Sequence, residues 1–335
     1  MRLLVELSGE QPALARAESL AAIEASGISA KVLLAEERLL AVETDAEPAW
    51  LGRRLGLAHY VDELLAWSGL EDVLPHARSL DFGDRTFRVR VNSFKGCHMK
   101  EELERKIGDL VAGSVNLTAP QEEVRLIEGE QHYLCRRLAA IDRSAFEARK
   151  VAERPFSLPI SLHPRLARAL VNLARVRDGA TVLDPFCGTG GLLLEAGIIG
   201  ARLLGGDVRG DMVEGCRAML EQFGLRATLH QGDVGQSPER FGTVNAIVTD
   251  PPYGRATTTK GEPLASLYAR ALEAASAMLR PGGYLAMIVP SVTTLPEAGG
   301  FERVESYPLR VHKSLTRTFV VMRRADESAA PSQSA

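Results

Sequence analysis

Short apolar runs and one long alanine-rich stretch alternate over the first 68 residues. Residues 3–7, 31–35 and 39–43 have strand length, and polar Glu36-Glu37-Arg38 separates the last two. Residues 13–25 form a helix stopped by Gly27, and 48–55 a shorter helix with Pro48 in its first turn. A final strand from 58 to 65 completes the order β-α-β-β-α-β, which predicts a ferredoxin-like unit over residues 1–68. Between 69 and 140 the pattern is again α+β. Phe87-Arg88-Val89-Arg90-Val91 alternates with period two and predicts a strand with one core face and one cationic face. Phe94-Lys95-Gly96 follows as a turn. Residues 99–111 have helical spacing, with Leu103, Ile107, Leu110 and Val111 on one side, and 124–127 with 133–138 form a strand pair.

Residues 141–160, with Arg154-Pro155 and Leu158-Pro159, have the composition of a linker. From 161 to 325 strands and helices alternate. Helices are predicted at 163–176, 190–199, 212–223 and 264–279, the last stopped by Arg280-Pro281-Gly282-Gly283. Strands are predicted at 181–183, 202–207, 228–231, 244–249, 284–289, 304–311 and 316–322. Such alternation predicts an α/β fold with a doubly wound parallel sheet, a Rossmann-like domain. The small polar residues 326–335 read as a disordered tail.

Composition adds a few constraints. Hydrophobic content of 45% and charged content of 25% are those of a globular chain. No apolar run approaches the roughly 20 residues of a membrane span, and the N-terminus lacks a signal-peptide layout. Cys97, Cys135, Cys187 and Cys216 are scattered without metal spacing, which predicts reduced thiols in a cytoplasmic protein that holds no metal. The net charge of −3 is unevenly spread: residues 1–77 carry −7, whereas 78–150 and 151–335 carry +2 each. The last two segments can offer basic faces to a polyanion.

The chemistry gathers at predicted strand ends. Asp184-Pro185-Phe186-Cys187-Gly188-Thr189-Gly190-Gly191 is a glycine-rich turn with a carboxylate before it. The glycines permit a tight turn and close approach of a ligand. The carboxylate would repel a pyrophosphate and attract an ammonium, which selects S-adenosylmethionine (AdoMet) over a dinucleotide. Asp207, 23 residues on at the next strand end, suits the ribose hydroxyls, and Asp233 in Gln231-Gly232-Asp233-Val234 suits the adenine amino group. Each of these two acids could instead be a loop or helix cap. Phe186, Val208 and Val234 complete the expected cofactor lining, with Gly188 and Gly190 in the turn. Asp250-Pro251-Pro252-Tyr253 follows the apolar run 244–248. A carboxylate, rigid proline carbonyls and an aromatic plate suit a planar base with an exocyclic amine, which Tyr253 would stack upon. Asp250 and a proline carbonyl would accept the two N–H groups, with Asp250 as the later proton acceptor.

These motifs resemble the THUMP-containing tRNA guanine-N2 methyltransferases, those acting at tRNA position 10 above all. Phe87–Val91 with the helix after it, Val115-Asn116-Leu117 and Pro120 look like a THUMP domain over 69–140. The segment 162–173, the Asp250-Pro251-Pro252-Tyr253-Gly254-Arg255 motif and His312-Lys313-Ser314-Leu315-Thr316-Arg317 are similar to further family signatures. The resemblance implies an N-terminal half that docks tRNA and a sheet domain that methylates guanosine N2, once or twice, with AdoMet contacts also from residues 156–161. Arg88, Arg90, Lys95 and Lys100, then Arg255, Lys260, Lys313 and Arg317, are the candidate RNA-binding cations, each alternatively a solvated surface charge. A monomer is expected, since no partner subunit is evident. Another tRNA or rRNA guanine, an adenine N6, or a non-catalytic RNA-binding protein stay open as alternatives.

Overall fold

All strands predicted before residue 141 join one eight-stranded sheet, and all those after it join a second sheet of seven. The two sheets belong to separate units, Met1–Asp142 and Arg143–Ala335. The computed structural model describes residues 1–326 except 95, 97–98, 155, 157–160, 253–261, 293–294, 297–299 and 313–314. The expected tail from 327 onward lies outside the described residues.

In the first unit, β1 (Arg2–Leu7), β2 (Ala30–Ala35), β3 (Leu39–Thr44) and β4 (Ala58–Ser68) pair antiparallel in the order β2-β3-β1-β4. With helices Pro12–Ala25 and Pro48–Arg54 between them, this is the ferredoxin-like arrangement. The sheet continues through β8 (His132–Ala140), β7 (Glu122–Glu128), β5 (Asp81–Ser93) and β6 (Ala112–Val115). β4 runs three residues beyond the predicted strand because its far end pairs with β8, Trp67 opposite Tyr133. That pairing makes the sheet continuous across residue 68. β6 was not expected: its four residues are small or exposed and show no alternation, and only pairing with β5 makes them a strand. The helix expected over 99–111 is Lys100–Gly108, with Leu103 and Ile107 buried against β5.

One buried cation ties this sheet together across four strands. Arg125 on β7 is 1% exposed. It donates to Glu6 on β1 at 2.5 Å and to Asp62 on β4, with the Tyr60 ring 4.1 Å from its guanidinium carbon. Burying such charges is costly, and the cost is offset only while all partners remain.

The second sheet has the order β11-β10-β9-β12-β13-β15-β14. β9 (Thr181–Asp184), β10 (Arg202–Asp207), β11 (Ala227–Gln231), β12 (Val244–Thr249) and β13 (Leu279–Val289) are parallel. β14 (Phe301–His312) and β15 (Leu315–Arg324) close the edge antiparallel. The chain winds outward from β9 to β11, then returns to place β12 on the other side of β9. Ligands in such sheets bind at that switch point, beyond the carboxyl ends of the strands. Helix Leu264–Met278 seals one face by packing Tyr268, Leu272, Ala275 and Met278 against Leu183, Ile247, Leu285 and Met287. Each fully buried Leu or Met of this kind contributes roughly 1.5–3 kcal/mol.

Three boundaries differ from expectation. Helix Pro164–Leu173 stops before Val176, because Arg175 turns into the left-handed region at φ 51°. Its guanidinium donates to the Leu173 carbonyl at 2.6 Å and to Glu305 at 3.0 Å, contacts that offset the strained backbone. β13 begins at Leu279, and Arg280–Gly283 bulges between the Val244–Leu279 and Ala246–Tyr284 pairings. Within the stretch expected to be linker, Arg143–Glu147 is a helix whose Phe146 is buried. No described helix is long and apolar enough to cross a membrane. Cys135, Cys187 and Cys216 are free, buried thiols, and Cys97 lies outside the described residues.

Arg125→Ala should cost about 3–5 kcal/mol by leaving Glu6 and Asp62 buried without their cation. Both tryptophans, Trp50 and Trp67, lie in the first unit, so urea unfolding followed by their fluorescence reads it selectively. A loss under about 1 kcal/mol would refute the tie.

Candidate active site

Parallel pairing of β9 with β10 and β12 brings Asp184, Asp207 and Asp250 to one edge of the sheet. Asp184, the last residue of β9, is only 2% exposed. Its Oδ1 accepts from the Thr249 hydroxyl at 2.8 Å and from the Phe186 N–H at 3.1 Å. Burial pushes this carboxyl up to about 7, against both hydrogen bonds and with help from the nearby charges of Asp250 and Asp207. A cation arriving at the site would relieve the cost of ionising it. Thr249, which joins the glycine turn to the Asp-Pro-Pro corner, was not singled out from the sequence. It closes the continuously buried end of β12, where nothing local distinguishes it from an ordinary strand residue.

The turn after Asp184 is built for close approach. Gly188 and Gly190 have φ of 48° and 79°, conformations that favour glycine. A Cβ on Gly190 would also lie 2.7 Å from Cys216 Sγ and from Met219 Cε. The Gly188 N–H donates to Asp207 Oδ2 at 3.0 Å, and the Arg209 N–H donates to Oδ1 at 2.9 Å. Each oxygen keeps a further lone pair, so Asp207 can still accept from ribose hydroxyls. Burial raises its carboxyl above the usual range, while the two backbone N–H groups pull it down. Thr189 Oγ1 lies 3.2 Å from the Ser161 hydroxyl, and the Phe156 ring occupies the space a Cβ on Gly215 would need. Both ends of the 156–161 segment therefore reach this turn or the helix Gly210–Gln222 beside it.

The other expected cofactor residues follow the ends of β9, β10 and β11. Phe186 is half-buried against the core, Val208 is half-buried and Val234 is buried in that core. Asp233 is a helix N-cap: its carboxylate accepts from the Gly235 N–H at 2.9 Å, within a capping box completed by Gln236. It is also paired with Arg270 through both oxygens, and Glu262 shares that guanidinium at 2.7 Å. These carboxylates hold Arg270 above the usual guanidinium range, Glu262 contributing most. Asp233 thus already has the partners a cap requires.

At the end of β12, Asp250 is half-buried, Pro251 buried and Pro252 half-buried. Tyr253, Arg255 and Lys260 lie outside the described residues. The Tyr268 hydroxyl donates to the Pro252 carbonyl at 3.3 Å. Burial and the Asp250 charge raise this phenol above its ordinary range, so it stays a proton donor. Tyr268 thereby orients a carbonyl of the Asp-Pro-Pro corner. The sequence hides it as one apolar position of an amphipathic helix.

The expected cationic face of β5 is interleaved with acids. Arg88 donates to Glu123 at 2.5 Å, and Arg90 lies 3.6 Å from Glu104, which also sits 4.0 Å from Lys100. Arg136 and Arg137 on β8 pair with Glu122 and Glu123 at 2.9 Å each. Parallel register sets Arg88 opposite Glu123, so the cations alternate with acids that only the pairing reveals. Arg317 is half-buried on β15, while Lys95 and Lys313 lie outside the described residues. Among the described residues no cluster of His, Cys, Asp or Glu could hold a metal ion.

A doubly wound sheet with acids at successive strand ends, a left-handed glycine turn and an Asp-Pro-Pro corner at the switch point is that of an AdoMet-dependent methyltransferase. Residues 152–318 match the family described as UPF0020: RMKL-like, methyltransferase domain. The chain is 34% identical over 336 residues to the tRNA (guanine(10)-N2)-dimethyltransferase of Methanothermobacter thermautotrophicus, covering 97% of this chain and 100% of that one. It is 37% identical over 332 residues to the Pyrococcus abyssi protein of the same name, covering 95% and 98%. Its fold matches the crystal structure of TrmN from Thermus thermophilus with a TM-score of 0.54 and 27% identity, over 97% of this chain and 100% of that one. The chain belongs to the tRNA (guanine(10)-N2)-dimethyltransferase family.

Asp184 generates a pH signature. An ordinary aspartate titrates near about 3.9, whereas Asp184 in the folded chain sits at about 7. Between these values the folded chain retains a proton that the unfolded chain releases, so this group's stabilisation is present at low pH and lost as pH rises through about 7. Thermal unfolding of the ligand-free protein should show Asp184→Asn gaining stability relative to wild type between pH 5 and pH 8. An unchanged difference across that range would contradict the shift.

Proposed function

We propose that the protein methylates the exocyclic N2 of guanosine 10 in tRNA and carries the product to N2,N2-dimethylguanosine. The observation that carries the chemistry is the Asp250-Pro251-Pro252 corner beside Asp184, the two joined through Thr249. Near full-length likeness to proteins named for that reaction supports the substrate and the double methylation.

AdoMet, when bound, supplies a methyl group already activated on a sulfonium. The residues that would hold it are Asp184, whose buried carboxylate suits the ammonium, Asp207 for the ribose, and the Gly188–Gly190 turn, with Phe186, Val208, Asp233 and Val234 around them. An exocyclic amine is a poor nucleophile while its lone pair is delocalised into the ring. In the first transfer Asp250 and the Pro252 carbonyl accept its two N–H groups and favour a tetrahedral nitrogen, with Tyr268 keeping that carbonyl in place; in the second, Asp250 accepts the single N–H that remains. Tyr253 stacks on the base. Asp250 then takes the proton that the methylated nitrogen releases. The guanine must leave its stack to reach this corner.

In this reading residues 1–68 and 69–140 are the ferredoxin-like and THUMP parts that hold tRNA, 141–160 link them onward, and 161–325 perform the chemistry. Arg88, Arg90, Lys95, Lys100, Arg255, Lys260, Lys313 and Arg317 are the candidate phosphate contacts. For Arg88 and Arg90, phosphate must compete with Glu123 and Glu104. The protein acts as a cytoplasmic monomer.

Incubation with labelled AdoMet and a tRNA transcript should give incorporation that vanishes when guanosine 10 is replaced; persistence would sink the position assignment. Asp250→Ala should lower turnover by about 10²–10⁴-fold with AdoMet affinity within about threefold of wild type. Tyr268→Phe loses one neutral hydrogen bond, worth about 1 kcal/mol, and should lower kcat by roughly fivefold without changing the KM for AdoMet. Full activity of either variant would remove its residue from the mechanism.

A further inference from the structure

Behind the glycine turn lies a buried cluster with more cations than anions. Glu195, in helix Gly191–Ile198, is fully buried. Arg149 donates to its Oε1 at 2.6 Å and its Oε2 at 3.1 Å, and Arg168 lies 2.9 Å from Oε2. A third guanidinium, that of Arg154, is 6% exposed. Its Nε donates to the Arg149 carbonyl at 2.8 Å, but Nη1 and Nη2 are buried with no hydrogen-bond partner among the described residues. Arg149 donates to both oxygens of Glu195, and neither terminal nitrogen of Arg154 bonds to it. Burial pushes Arg154 below the usual guanidinium range, with Glu195 supporting its charge and Arg149 opposing it.

The location of these two unpartnered groups is specific. A Cβ on Gly191 would lie 2.9 Å from Arg154 Nη1. Gly191 is the first residue of its helix and follows the Gly188–Gly190 turn. The first backbone N–H groups of a helix have no intrahelical acceptor, and its dipole favours an anion there. A buried guanidinium and a helix N-terminus thus converge on one place, and both call for an anionic oxygen acceptor. A guanidinium left so is unfavourable, whereas one paired bidentately to a carboxylate in a dry site makes a strong charge-assisted contact.

AdoMet carries two positive groups, the sulfonium and the ammonium, and one negative group, the methionine carboxylate. We infer that Arg154 pairs with this carboxylate at the N-terminus of helix Gly191–Ile198, and so positions the methionine end of the cofactor and selects for an intact amino acid. Asp184 and Arg154 would then read the two charges of one zwitterion. An RNA phosphate is a poorer match, because it would have to bring a hydrated backbone to a group closed inside the turn. The inference rests on the assignment of this turn as the AdoMet pocket.

Decarboxylated AdoMet keeps the sulfonium, the ammonium and the adenosine and lacks only the carboxylate, so it separates the two claims. By calorimetry the wild-type protein should bind AdoMet at least about tenfold more tightly than decarboxylated AdoMet, as expected for loss of a charge-assisted pair. Arg154→Gln should weaken AdoMet by about 10- to 100-fold and decarboxylated AdoMet by less than about twofold, and Arg154→Lys should recover part of the loss. Equal wild-type affinity for the two compounds, or equal weakening of both by Arg154→Gln, would overturn the role of Arg154 while leaving the pocket in place. The wild-type comparison holds even if the variants do not fold. Failure of the wild type to bind either compound would overturn the pocket assignment and the inference together.

Discussion

The buried carboxylate of Asp184 is the point on which the catalytic unit turns. It sits where β9 and β12 part to opposite sides of the winding, and its partners come from both sides: the Phe186 N–H of its own turn and the Thr249 hydroxyl of the neighbouring strand. Through that second bond the cofactor turn and the Asp-Pro-Pro corner share one rigid frame. Two neutral donors do not offset the desolvation of a carboxylate, which is why its pKa rises to about 7. An acid left in that condition is a binding group prepared for a cation.

The glycine turn carries the opposite preparation on its helical side. Arg149 and Arg168 neutralise Glu195, and Arg154 is placed against Gly191 with two donors unused. An acid before the turn and a guanidinium beside its helix are complementary to an α-amino acid, and the acid would repel a pyrophosphate. In the proposed reading, recognition works by leaving buried charge unsatisfied, at some expense in stability of the ligand-free chain. The N-terminal unit uses buried charge differently. Arg125 has its acids in place, and its partners on β1 and β4 hold strands from both halves of one sheet.

Much of the fold was legible in the sequence because it depends on short-range periodicity. Period-two alternation located β5, apolar runs located β9 and β12, and Gly27 and Pro164 marked helix ends. What escaped has no local signal. β6 is exposed and exists through its pairing with β5. A helix ends early where Arg175 turns left-handed, and its guanidinium there meets Glu305, far along the chain. Alternating arginines on β5 suggested a cationic face, and register with β7 placed Glu123 opposite Arg88.

The site divides the same way. Asp184, Asp207, Asp250 and the glycines could be picked out by residue type and spacing, since a strand-end acid and a left-handed turn are local requirements. Likeness to relatives over nearly the full length carried the choice of guanine, which no side chain near Asp250 announces by itself. Thr249, Tyr268 and Arg154 were decided by the tertiary structure alone. Each lies 16 residues or more from the group it touches: Thr249 from Asp184, Tyr268 from Pro252, Arg154 from Gly191. Sequence determines which groups are present and which local conformations they favour. Only packing decides which of them lose water together, and the strength of every charge and hydrogen bond in the site follows from that.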